Sequence, residues 1–599
     1  MSELDQNKNP GGSSKENDLV SAGSSNTCST PDMPPQFPPE SVFTAAQDRS
    51  ACAKFAKLYR ETDCQLCFLL DDIPPRDSVA GLEMSSFRRV ALFEEILGIE
   101  NVLLLTHRFQ VHGPEYTIRH MEIGRFDSVK VLNLYDCLQD INRAEPPAPA
   151  PEPVFNPGWH TVAIPDRPDT RVVGKDGRCL AYIRRFPSGK GIDYINFLAN
   201  DKIYRRDNYD VQGFLSRTEF IIPGTNFAHT LVYYRPDHTI ALTECCRQGG
   251  KDNTVQIVTS VEVMDRTGRV VRRFPGADEL AAWWLLDLLQ DRSQPRLVIA
   301  DEISNYQCAF REIKKRADDF KHVKVIGVCH NAHTLDATDP MHSKLGDNFR
   351  FLCEPQQQVD AVVTLTQWQK HDVQERYQAD AKPMTIIPHS MPDLREVPDD
   401  LPPVLPPHSI ILVGRLTASK GQALAIEVLE EILKAVPDAT LHLYGAGAYG
   451  EELKKIISAK NLQNKVLLHG FVSDIGPVYK SASVLISCSR FEGFGLTMQE
   501  AMFYGCPVVA FACRYGPESI VIHGENGYLV PLGDVKGMAA RCTALLTDTK
   551  LRSRFSKAAV KSCRRFAKKS VAARWARLLA PLLQSAADAL KNIKNRSLT

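Results

Sequence analysis

A glycine-rich loop between a buried strand and a helix is the segment of this sequence best suited to chemistry. Val484–Ser487 predicts the strand, and the loop beyond it contains Glu492, Gly493 and Gly495. The two glycines let the backbone approach a ligand closely, and the helix that begins after them points its free N–H groups at the same place. The pattern predicts a diphosphate site that needs no metal.

Two carboxylates accompany this loop. Glu492 lies within it, and Glu500 follows about two turns along the helix, at roughly 1.5 Å of rise per residue. At that spacing both carboxylates can line one ligand. An isolated Glu more often lies on a solvated helix face, but the composition of this loop favours a functional pair.

A second loop brings cations towards the same site. Gly414 follows a predicted strand, and Arg415 and Lys420 come next, before a helix that starts at Gln422. Arg offers a planar fork and Lys a point charge, and both suit phosphate oxygens. Loop cations are usually only solvated. These two, however, stand at the carboxyl end of a strand, where open α/β sheets bind their ligands.

Histidines follow a buried strand in the first half of the chain. Val325–Val328 predicts the strand, and His330 and His333 come just after it. A histidine at this place can hydrogen-bond a sugar hydroxyl or orient a leaving group. The spacing also fits zinc, but the sequence offers no third ligand and no H-E-x-x-H helix, so binding without metal is favoured. Another glycine turn, Asp77–Leu82 with Gly81, follows the first strand of the chain.

Two motif matches are better explained by structure than by chemistry. Gly445, Gly447 and Gly450 fit the dinucleotide fingerprint, but they follow the second strand of their set. No acidic residue ends a later strand about 20 residues on. A tight strand-to-helix turn is the better interpretation, and an oxidoreductase is disfavoured. Cys64 and Cys67 resemble a redox pair but lead into an apolar strand with no helix after it, which indicates buried thiols.

The elements that position these loops form two α/β sets. Strand and helix patterns alternate from Cys67 and again from Ile410, as is typical of parallel sheets. Short alternating runs between 158 and 275 instead predict an antiparallel β insert within the first set. The predicted fold class is therefore α/β, with two Rossmann-like domains that face a cleft at the carboxyl ends of their strands.

The predicted regions follow from these patterns. Residues 1–45 form a disordered tail, because a segment rich in Ser, Asn, Pro and Gly cannot offset the entropy of ordering. The other predicted limits are 46–150 for the first part of the N-terminal domain, 151–275 for a proline-rich linker and the β insert, 276–395 for the second part, and 396–599 for the C-terminal domain. We expect the basic stretch Arg564–Lys594 to cross back and brace the first domain, in preference to contact with an anionic membrane.

Composition excludes several classes of function. The 599 residues carry 72 Lys and Arg against 71 Asp and Glu, a formal net charge of +1, which disfavours general nucleic-acid binding. No run of about 18 apolar residues predicts a membrane span, and the acidic start Met1–Asp5 is unlike a secretory signal. The 16 cysteines are scattered, as in reduced intracellular proteins. We expect a cytoplasmic enzyme, with no more than peripheral contact at the inner membrane face.

The segments that carry the candidate residues resemble family 4 retaining glycosyltransferases of the GT-B fold. The resemblance spans about residues 67–580 and rests on Gly414–Lys420, Glu492–Glu500 and Gly524–Val530. Three further segments restrict the resemblance to one branch of this family: Leu365–Val373, Ile387–His389 and Arg514–Ile520. They resemble the branch of the poly(glycerol-phosphate) and poly(ribitol-phosphate) α-glycosyltransferases of wall teichoic acid. The catalytic subunit of the O-GlcNAc transferase for serine-rich adhesins belongs to the same branch, which also carries a β insert.

The resemblance implies a role for each candidate residue. Glu492 would contact the donor sugar beside the reacting carbon, and Glu500 the ribose hydroxyls. Arg415 and Lys420 would neutralise the departing diphosphate. His330 would hold the donor hexose from the other domain.

The remaining implied positions surround the same donor. Gly81 would leave room for phosphate or acceptor, and the backbone amides beyond Gly493 would assist the diphosphate. The donor-binding segment implied by the resemblance consists of Gly493, Phe494, Gly495, Leu496 and Thr497.

The implied activity is transfer of a hexose, Glc or GlcNAc, from a UDP-sugar to a hydroxyl of a polymer or protein acceptor, with retention of configuration. UDP-Glc or UDP-GlcNAc would be a co-substrate, and neither metal nor another cofactor is expected. Fixed cations and helix N–H groups would stabilise the negative charge that gathers on the leaving group beside an oxocarbenium-like centre. Front-face attack, in which the leaving phosphate takes the proton of the acceptor, needs no dedicated base, and none is assigned.

The alternative is a non-catalytic, acceptor-binding partner subunit of a protein O-glycosyltransferase complex. Such subunits are expected to lack the paired Glu and the Arg/Lys set that this chain keeps. An epimerase or a phosphorylase with the GT-B fold is disfavoured, because a phosphorylase needs a pyridoxal lysine and neither needs the insert. The sequence does not determine the donor sugar or the acceptor, which is a teichoic-acid-like polymer, a Ser/Thr protein or a lipid-linked sugar. It also does not determine whether the insert captures the acceptor, forms homo-oligomer contacts or binds a partner subunit.

Overall fold

The computed structural model of the chain describes most of the residues from 44 to 596. The described ranges are 44–71, 81–100, 102–111, 129–144, 148–186, 191–250, 255–301, 306–346, 349, 359–377, 383–391 and 403–596. The predicted disordered tail therefore lies outside the described residues up to position 43. Thr44 caps the first helix, since its hydroxyl accepts a hydrogen bond from the backbone N–H of Gln47 at 3.3 Å.

The strands, in chain order, have the following bounds: β1 (Gln65–Leu70), β2 (Val102–Thr106), β3 (Val129–Asn133), β4 (His160–Ala163), β5 (Thr170–Val173), β6 (Cys179–Arg185), β7 (Ile192–Ala199), β8 (Lys202–Tyr209), β9 (Leu215–Ile221), β10 (Ala228–Tyr234), β11 (Ile240–Gly249), β12 (Val255–Met264), β13 (Val270–Phe274), β14 (Arg296–Ala300), β15 (Val323–Cys329), β16 (Ala361–Thr364), β17 (Met384–Ile386), β18 (Ser409–Val413), β19 (Thr440–Tyr444), β20 (Val466–Gly470), β21 (Val484–Ser487), β22 (Val508–Phe511) and β23 (Gly527–Val530).

The helices have these bounds: α1 (Ala45–Thr62), α2 (Gly81–Leu97), α3 (Leu134–Leu138), α4 (Ala277–Leu289), α5 (Gln307–Lys315), α6 (Gln367–Tyr377), α7 (Gln422–Leu433), α8 (Gly450–Ala459), α9 (Gly476–Ser481), α10 (Leu496–Phe503), α11 (Pro517–Ile520), α12 (Val535–Thr547), α13 (Thr549–Ser562) and α14 (Lys568–Arg596). Two short 3-10 turns, Ala418–Lys420 and Cys563–Phe566, precede α7 and α14.

The sheet of the N-terminal domain is parallel, with strand order β17-β16-β15-β14-β1-β2-β3. Its five inner strands are almost continuously apolar and buried, because other elements cover both faces. One face packs against the β insert and α4, and the other against α1, α2 and α14. The strand order reverses between β1 and β14, so the connections after these two strands diverge and leave a crevice at their carboxyl ends.

The sheet of the C-terminal domain is also parallel, with strand order β20-β19-β18-β21-β22-β23. Here the order reverses between β18 and β21. The loop with Arg415 and Lys420 follows β18, and the loop with Glu492 and Gly493 follows β21. The two loops singled out from the sequence therefore meet at the switch point of this sheet, where a Rossmann-type sheet binds its ligand.

The strands β4 to β13 form one ten-stranded antiparallel sheet inserted between β3 and β14. This confirms the predicted antiparallel insert. Buried polar contacts attach it to the N-terminal domain: the hydroxyls of Tyr135 and Tyr233 donate to Glu244 at 2.7 and 3.0 Å. The two tyrosine rings stack with their centres 4.9 Å apart. The insert and the N-terminal domain thus share one core.

The last helix, α14, leaves the C-terminal domain and packs on the N-terminal domain. Trp575 is buried against Phe93, with ring centres 5.5 Å apart in an edge-to-face arrangement. Arg577 donates to Asp48 of α1 at 2.7 Å. The helix therefore ties the two domains together behind the cleft. Among the helices that the structure describes, none combines the length and the apolarity that spanning a membrane requires.

Candidate active site

The two loops at the switch point of the C-terminal domain are in contact through their backbones. A Cβ built on Gly421 would lie 2.0 Å from the carbonyl oxygen of Cys488, and its φ of +70° suits glycine. The N–H of Arg490 donates to the carbonyl of Ser419 at 2.9 Å. The close approach and the hydrogen bond fix the position of Lys420 relative to the glycine-rich loop.

Lys420 and Glu492 form an ion pair where these loops meet. Lys420 Nζ lies 2.6 Å from Glu492 Oε1, and the hydroxyl of Ser489 donates to the same oxygen at 2.7 Å. The two charged side chains are 28% and 12% exposed, so the pair is partly open to the cleft. The backbone N–H of Glu492 donates to the carbonyl of Arg514 at 2.7 Å, which holds the loop. A cation and a carboxylate are thus placed side by side at the switch point of this sheet.

The glycine motif after β19 supports the first of these loops. A Cβ on Gly445 would lie 1.9 Å from the carbonyl oxygen of Gly414, and one on Gly447 would lie 2.3 Å from that of Leu416. Both glycines have positive φ, and the segment runs from β19 into α8. It is a tight strand-to-helix turn that lies directly on the Arg415–Lys420 loop.

The glycine-rich loop ends in the helix α10. Gly495 caps it in the left-handed region, with φ +99°, and Leu496 and Thr497 are its first two residues. The first N–H groups of a helix have no intrahelical acceptor, so they are available to an anion. The ring of Phe494 is buried instead, in edge-to-face contact with His389 and Phe566 at 5.4 and 5.6 Å. Phe494 thus contributes its backbone to the loop and its side chain to the core.

Glu500 bridges the two domains. Its Oε1 accepts from Nη2 of Arg88 on α2 at 3.0 Å, and its Oε2 accepts from the hydroxyl of Tyr479 at 3.3 Å. The side chains of Arg88 and Glu500 are 21% and 14% exposed. Each carboxylate oxygen keeps capacity for a further hydrogen bond. The carboxylate is therefore oriented from both sides of the cleft.

His330 lies at the end of β15 with its ring turned into the N-terminal domain. Its Nε2 lies 2.7 Å from Oδ1 of Asp301, and its Nδ1 lies 3.4 Å from the hydroxyl of Ser85. The ring stacks on that of His389, with centres 5.5 Å apart. Burial, and then the neighbouring His330 and arginine side chains, hold the pKa of His389 well below its usual value. His389 is therefore a neutral neighbour of His330.

His333 points to a different environment. Its Nδ1 lies 3.4 Å from the hydroxyl of Tyr515, and the two rings stack at 5.7 Å. Burial, and then the cations of Arg376 and Arg514, lower the pKa of His333 to about 4. The His330 and His333 rings thus have separate sets of partners.

The structure brings most of the predicted site residues to one cleft. Lys420, Glu492, Gly493, Gly495 and Glu500 lie on the C-terminal side, and Gly493 abuts the backbone of His330. Arg415 is on the same loop with its side chain exposed. Gly81 is the first residue of α2, and the rest of its predicted turn, from Asp77 to Ala80, lies outside the described residues.

Several residues at or near the cleft were not predicted from the sequence. Asp301 follows β14 directly, so its place at the carboxyl end of a strand was an available signal. Arg88 and Arg89 lie within α2 and carried no local signal. Ser489 follows β21 but looked like an ordinary loop serine.

Two Rossmann-type sheets that meet at a cleft define the GT-B fold, here with an antiparallel insert in the first domain. Residues 396–562 match the family model described as "Glycosyl transferases group 1". The chain is accordingly a glycosyltransferase with a group 1 domain in its second half. The predicted fold class and the predicted enzyme class are confirmed.

Named relatives and a solved structure agree with this class. The poly(glycerol-phosphate) alpha-glucosyltransferase of Bacillus subtilis (strain 168) is 23% identical over 533 residues, which cover 87% of this chain and 76% of the relative. The poly(ribitol-phosphate) alpha-N-acetylglucosaminyltransferase of Staphylococcus aureus (strain COL) is 25% identical over 405 residues, 67% of this chain and 76% of the relative. The crystal structure of the pneumococcal O-GlcNAc transferase GtfA in complex with UDP and GlcNAc superposes with a TM-score of 0.69 at 20% identity, over 87% of this chain and 99% of that chain. These matches confirm the branch that the sequence resembles.

Proposed function

We propose that this protein transfers a hexose, Glc or GlcNAc, from a UDP-sugar to a hydroxyl of a polyol-phosphate polymer or a protein, with retention and without a metal ion. The observation that carries the proposal is the ion pair of Lys420 and Glu492 at the switch point, next to the free N-terminus of α10. The names of the two bacterial relatives specify transfer of glucose and of N-acetylglucosamine, and the solved structure binds UDP and GlcNAc.

The chemistry of the site fits departure of a nucleoside diphosphate. Negative charge gathers on the leaving group in the transition state, and Lys420, Arg415 and the first N–H groups of α10 stabilise it. Glu492 lies beside Lys420 and stabilises positive charge on the reacting carbon. These fixed groups supply the stabilisation that a divalent cation would otherwise give.

Retention is supported by the linkage of the substrates. UDP-hexoses carry the sugar in α linkage, and the names of the two relatives specify α-products. Front-face attack, with the leaving phosphate as proton acceptor, retains that configuration without a separate base. We therefore assign no side chain as general base.

The proposal gives the β insert, within residues 151–275, the role of contacting the acceptor. Arg184 pairs with Tyr194 and Asn196 with Arg206 across β6, β7 and β8, so these side chains lie on one face of the sheet. The guanidinium of Arg206 lies 5.1 Å from the ring centre of Tyr194. A face with cations and aromatic rings suits a phosphodiester polymer or a glycan. Arg184→Ala combined with Arg206→Ala is expected to raise KM for the acceptor and to leave donor hydrolysis unchanged.

Donor hydrolysis tests the proposal directly. The wild-type protein and Glu492→Ala are incubated with a panel of nucleotide sugars in the presence of EDTA, and the released nucleotide is measured. Turnover of one UDP-hexose in wild type, with loss in the variant, is the expected result. The anomeric configuration of the product of transfer, read by NMR, then tests retention.

Turnover that requires an added divalent cation would contradict metal independence. Absence of nucleotide binding would favour the partner-subunit function instead. Turnover without transfer to any acceptor would mean that the proposed acceptor class is wrong and that the proposed donor is right.

A further inference from the structure

A buried polar cluster surrounds the ring of His330 in the N-terminal domain. Asp301 follows β14 and His330 follows β15, which run side by side, while Ser86 and Arg89 lie one turn apart on α2. The Asp301, His330 and Arg89 side chains are only 0%, 3% and 5% exposed. Buried ion pairs cost desolvation and seldom stabilise a fold more than apolar residues would. Such a cluster at the wall of a substrate cleft therefore points to a functional role.

The Asp301 carboxylate is held at both oxygens. Oδ1 accepts from Nη1 of Arg89 at 2.6 Å and faces Nε2 of His330 at 2.7 Å. Oδ2 accepts from the hydroxyl of Ser86 at 2.5 Å and from the same Arg89 nitrogen at 2.9 Å. The Arg89 guanidinium is itself fixed over the ring of Trp575, 5.0 Å from its centre. The carboxylate therefore has one orientation towards His330.

The charges of the cluster determine which ring nitrogen carries hydrogen. Burial alone would raise the pKa of Asp301, but the charge of Arg89, followed by contacts with His330 and Ser86, holds that pKa below its usual value. An ionised carboxylate only accepts hydrogen bonds, so the nitrogen facing it must be an N–H. Nη2 of Arg89 also faces this ring nitrogen, but at 3.4 Å it is farther away than the carboxylate oxygen at 2.7 Å. A neutral ring with hydrogen on Nε2 presents a lone pair at Nδ1.

We propose that Asp301 is a positioning residue: it fixes His330 as the Nε2–H tautomer, so that Nδ1 is offered as the acceptor for a hydroxyl of the bound hexose. The hexose part of this inference rests on the proposed function. The backbone carbonyl of His330 lies against Gly493 at the cleft, and Nδ1 of the same histidine lies 3.4 Å from the hydroxyl of Ser85. A contact of that length is weak and is readily replaced by a sugar hydroxyl.

The first experiment reads the tautomer without any ligand. Full-length protein is labelled with 15N-histidine, and two-bond proton–nitrogen spectra separate the two neutral tautomers and the charged ring. The His330 signals are assigned by their loss in His330→Gln. Wild type is expected to show the Nε2–H form, and Asp301→Asn a mixture or the Nδ1–H form, as when the Asp of a Ser–His–Asp triad becomes Asn. A wild-type His330 with hydrogen on Nδ1, or an unchanged tautomer in Asp301→Asn, would overturn the proposal.

The second experiment measures the affinity for the intact UDP-hexose that the wild type turns over and the affinity for UDP alone. The ratio of these affinities reports the contribution of the hexose. Asp301→Asn is expected to lower the ratio roughly tenfold, as loss of one hydrogen bond does, with UDP affinity unchanged. The double variant with His330→Ala is expected to lose no more than His330→Ala alone, because the two residues act through one contact. Additive losses would contradict a positioning role.

Asp360→Asn is the matched control. Asp360 precedes β16, at the amino ends of the strands of the same sheet, and pairs with Lys314 at 2.8 Å. It is expected to keep both the His330 tautomer and the affinity ratio. If Asp301→Asn does not fold, Ser86→Ala removes one contact to the carboxylate and keeps both charges, with an expected loss of about threefold in the ratio. A wild type that neither binds nor turns over any UDP-hexose would refute the proposed function, while the tautomer would still test the role of Asp301.

Discussion

Gly493 of the C-terminal domain lies with its α-carbon against the backbone carbonyl of His330 in the N-terminal domain. A Cβ at Gly493 would be 1.9 Å from that oxygen and 3.1 Å from the α-carbon of Asn331. At this point the two halves of the cleft touch through backbone atoms, and even one added methyl group does not fit. This contact sets the distance between the glycine-rich loop and the end of β15.

We expect Gly493→Ala to reduce kcat/KM about 100-fold, because a misplacement of about 1 Å in a catalytic constellation has an effect of that size. The new Cβ would clash with a backbone oxygen, so a side-chain rotation cannot relieve the clash. The variant should still fold, since each domain keeps its own core. Steady-state kinetics with the donor, together with a thermal melt, test this.

Gly450→Ala is the control for that substitution. Gly450 begins α8 in the same domain, and a Cβ there would meet only a side-chain carbon of Leu416 at 3.4 Å. Its activity is expected to stay near that of wild type. Equal activity of Gly493→Ala and Gly450→Ala would show that Gly493 and the backbone of His330 are not in this close contact in the active enzyme.

Lys420→Ala is expected to lower kcat by a factor on the order of 10² to 10³, because the ammonium stabilises charge that develops on the leaving diphosphate. Lys420→Arg should recover part of the loss, since it keeps the charge with a different geometry. Lys434→Ala serves as the control, because Lys434 pairs with the nearby Glu431 on the surface of the same domain. A loss confined to KM, with kcat unchanged, would mean that Lys420 binds ground state and transition state equally.

The sequence predicted the C-terminal half of this site better than the N-terminal half. Lys420, Glu492 and Gly493 lie in loops that follow predicted strands, so local patterns place them together once the sheet is parallel. The pairing of Arg89 with Asp301 joins residues 212 positions apart. It depends on the order of β1 and β14 and on the packing of α2, which no local pattern encodes. The same holds for Arg88 and Glu500.

Arg88→Met is expected to raise KM for the donor about tenfold and to widen the cleft. Removing Arg88 leaves the largely buried carboxylate of Glu500 with Tyr479 as its remaining described partner, which disfavours the closed arrangement. Small-angle X-ray scattering should show a larger radius of gyration for the free protein. Glu95→Gln, which breaks the more exposed pair with Lys568, is the control and should change neither quantity. An unchanged radius and an unchanged KM would refute the bridging role of Arg88.

Glu518 gives a prediction for stability against pH. Burial raises the pKa of this carboxyl group to about 8, whereas in the unfolded chain it lies near its usual value of about 4.3. Between these values the folded protein holds a proton that the unfolded chain has released. The free energy of unfolding contributed by Glu518 therefore falls as the pH rises from about 4.3 to about 8.

Glu518→Gln keeps the size of this side chain and removes the charge, so it should abolish that loss. We expect its melting temperature to exceed that of wild type at pH 8.5, by on the order of 5 °C, and to match wild type near pH 5. Thermal melts across this range measure the difference. Glu525→Gln, on an exposed turn nearby, should follow the wild-type profile. Parallel profiles for Glu518→Gln and wild type would mean that Glu518 is ionised in the folded protein at neutral pH, with a buried cation or water that compensates its charge.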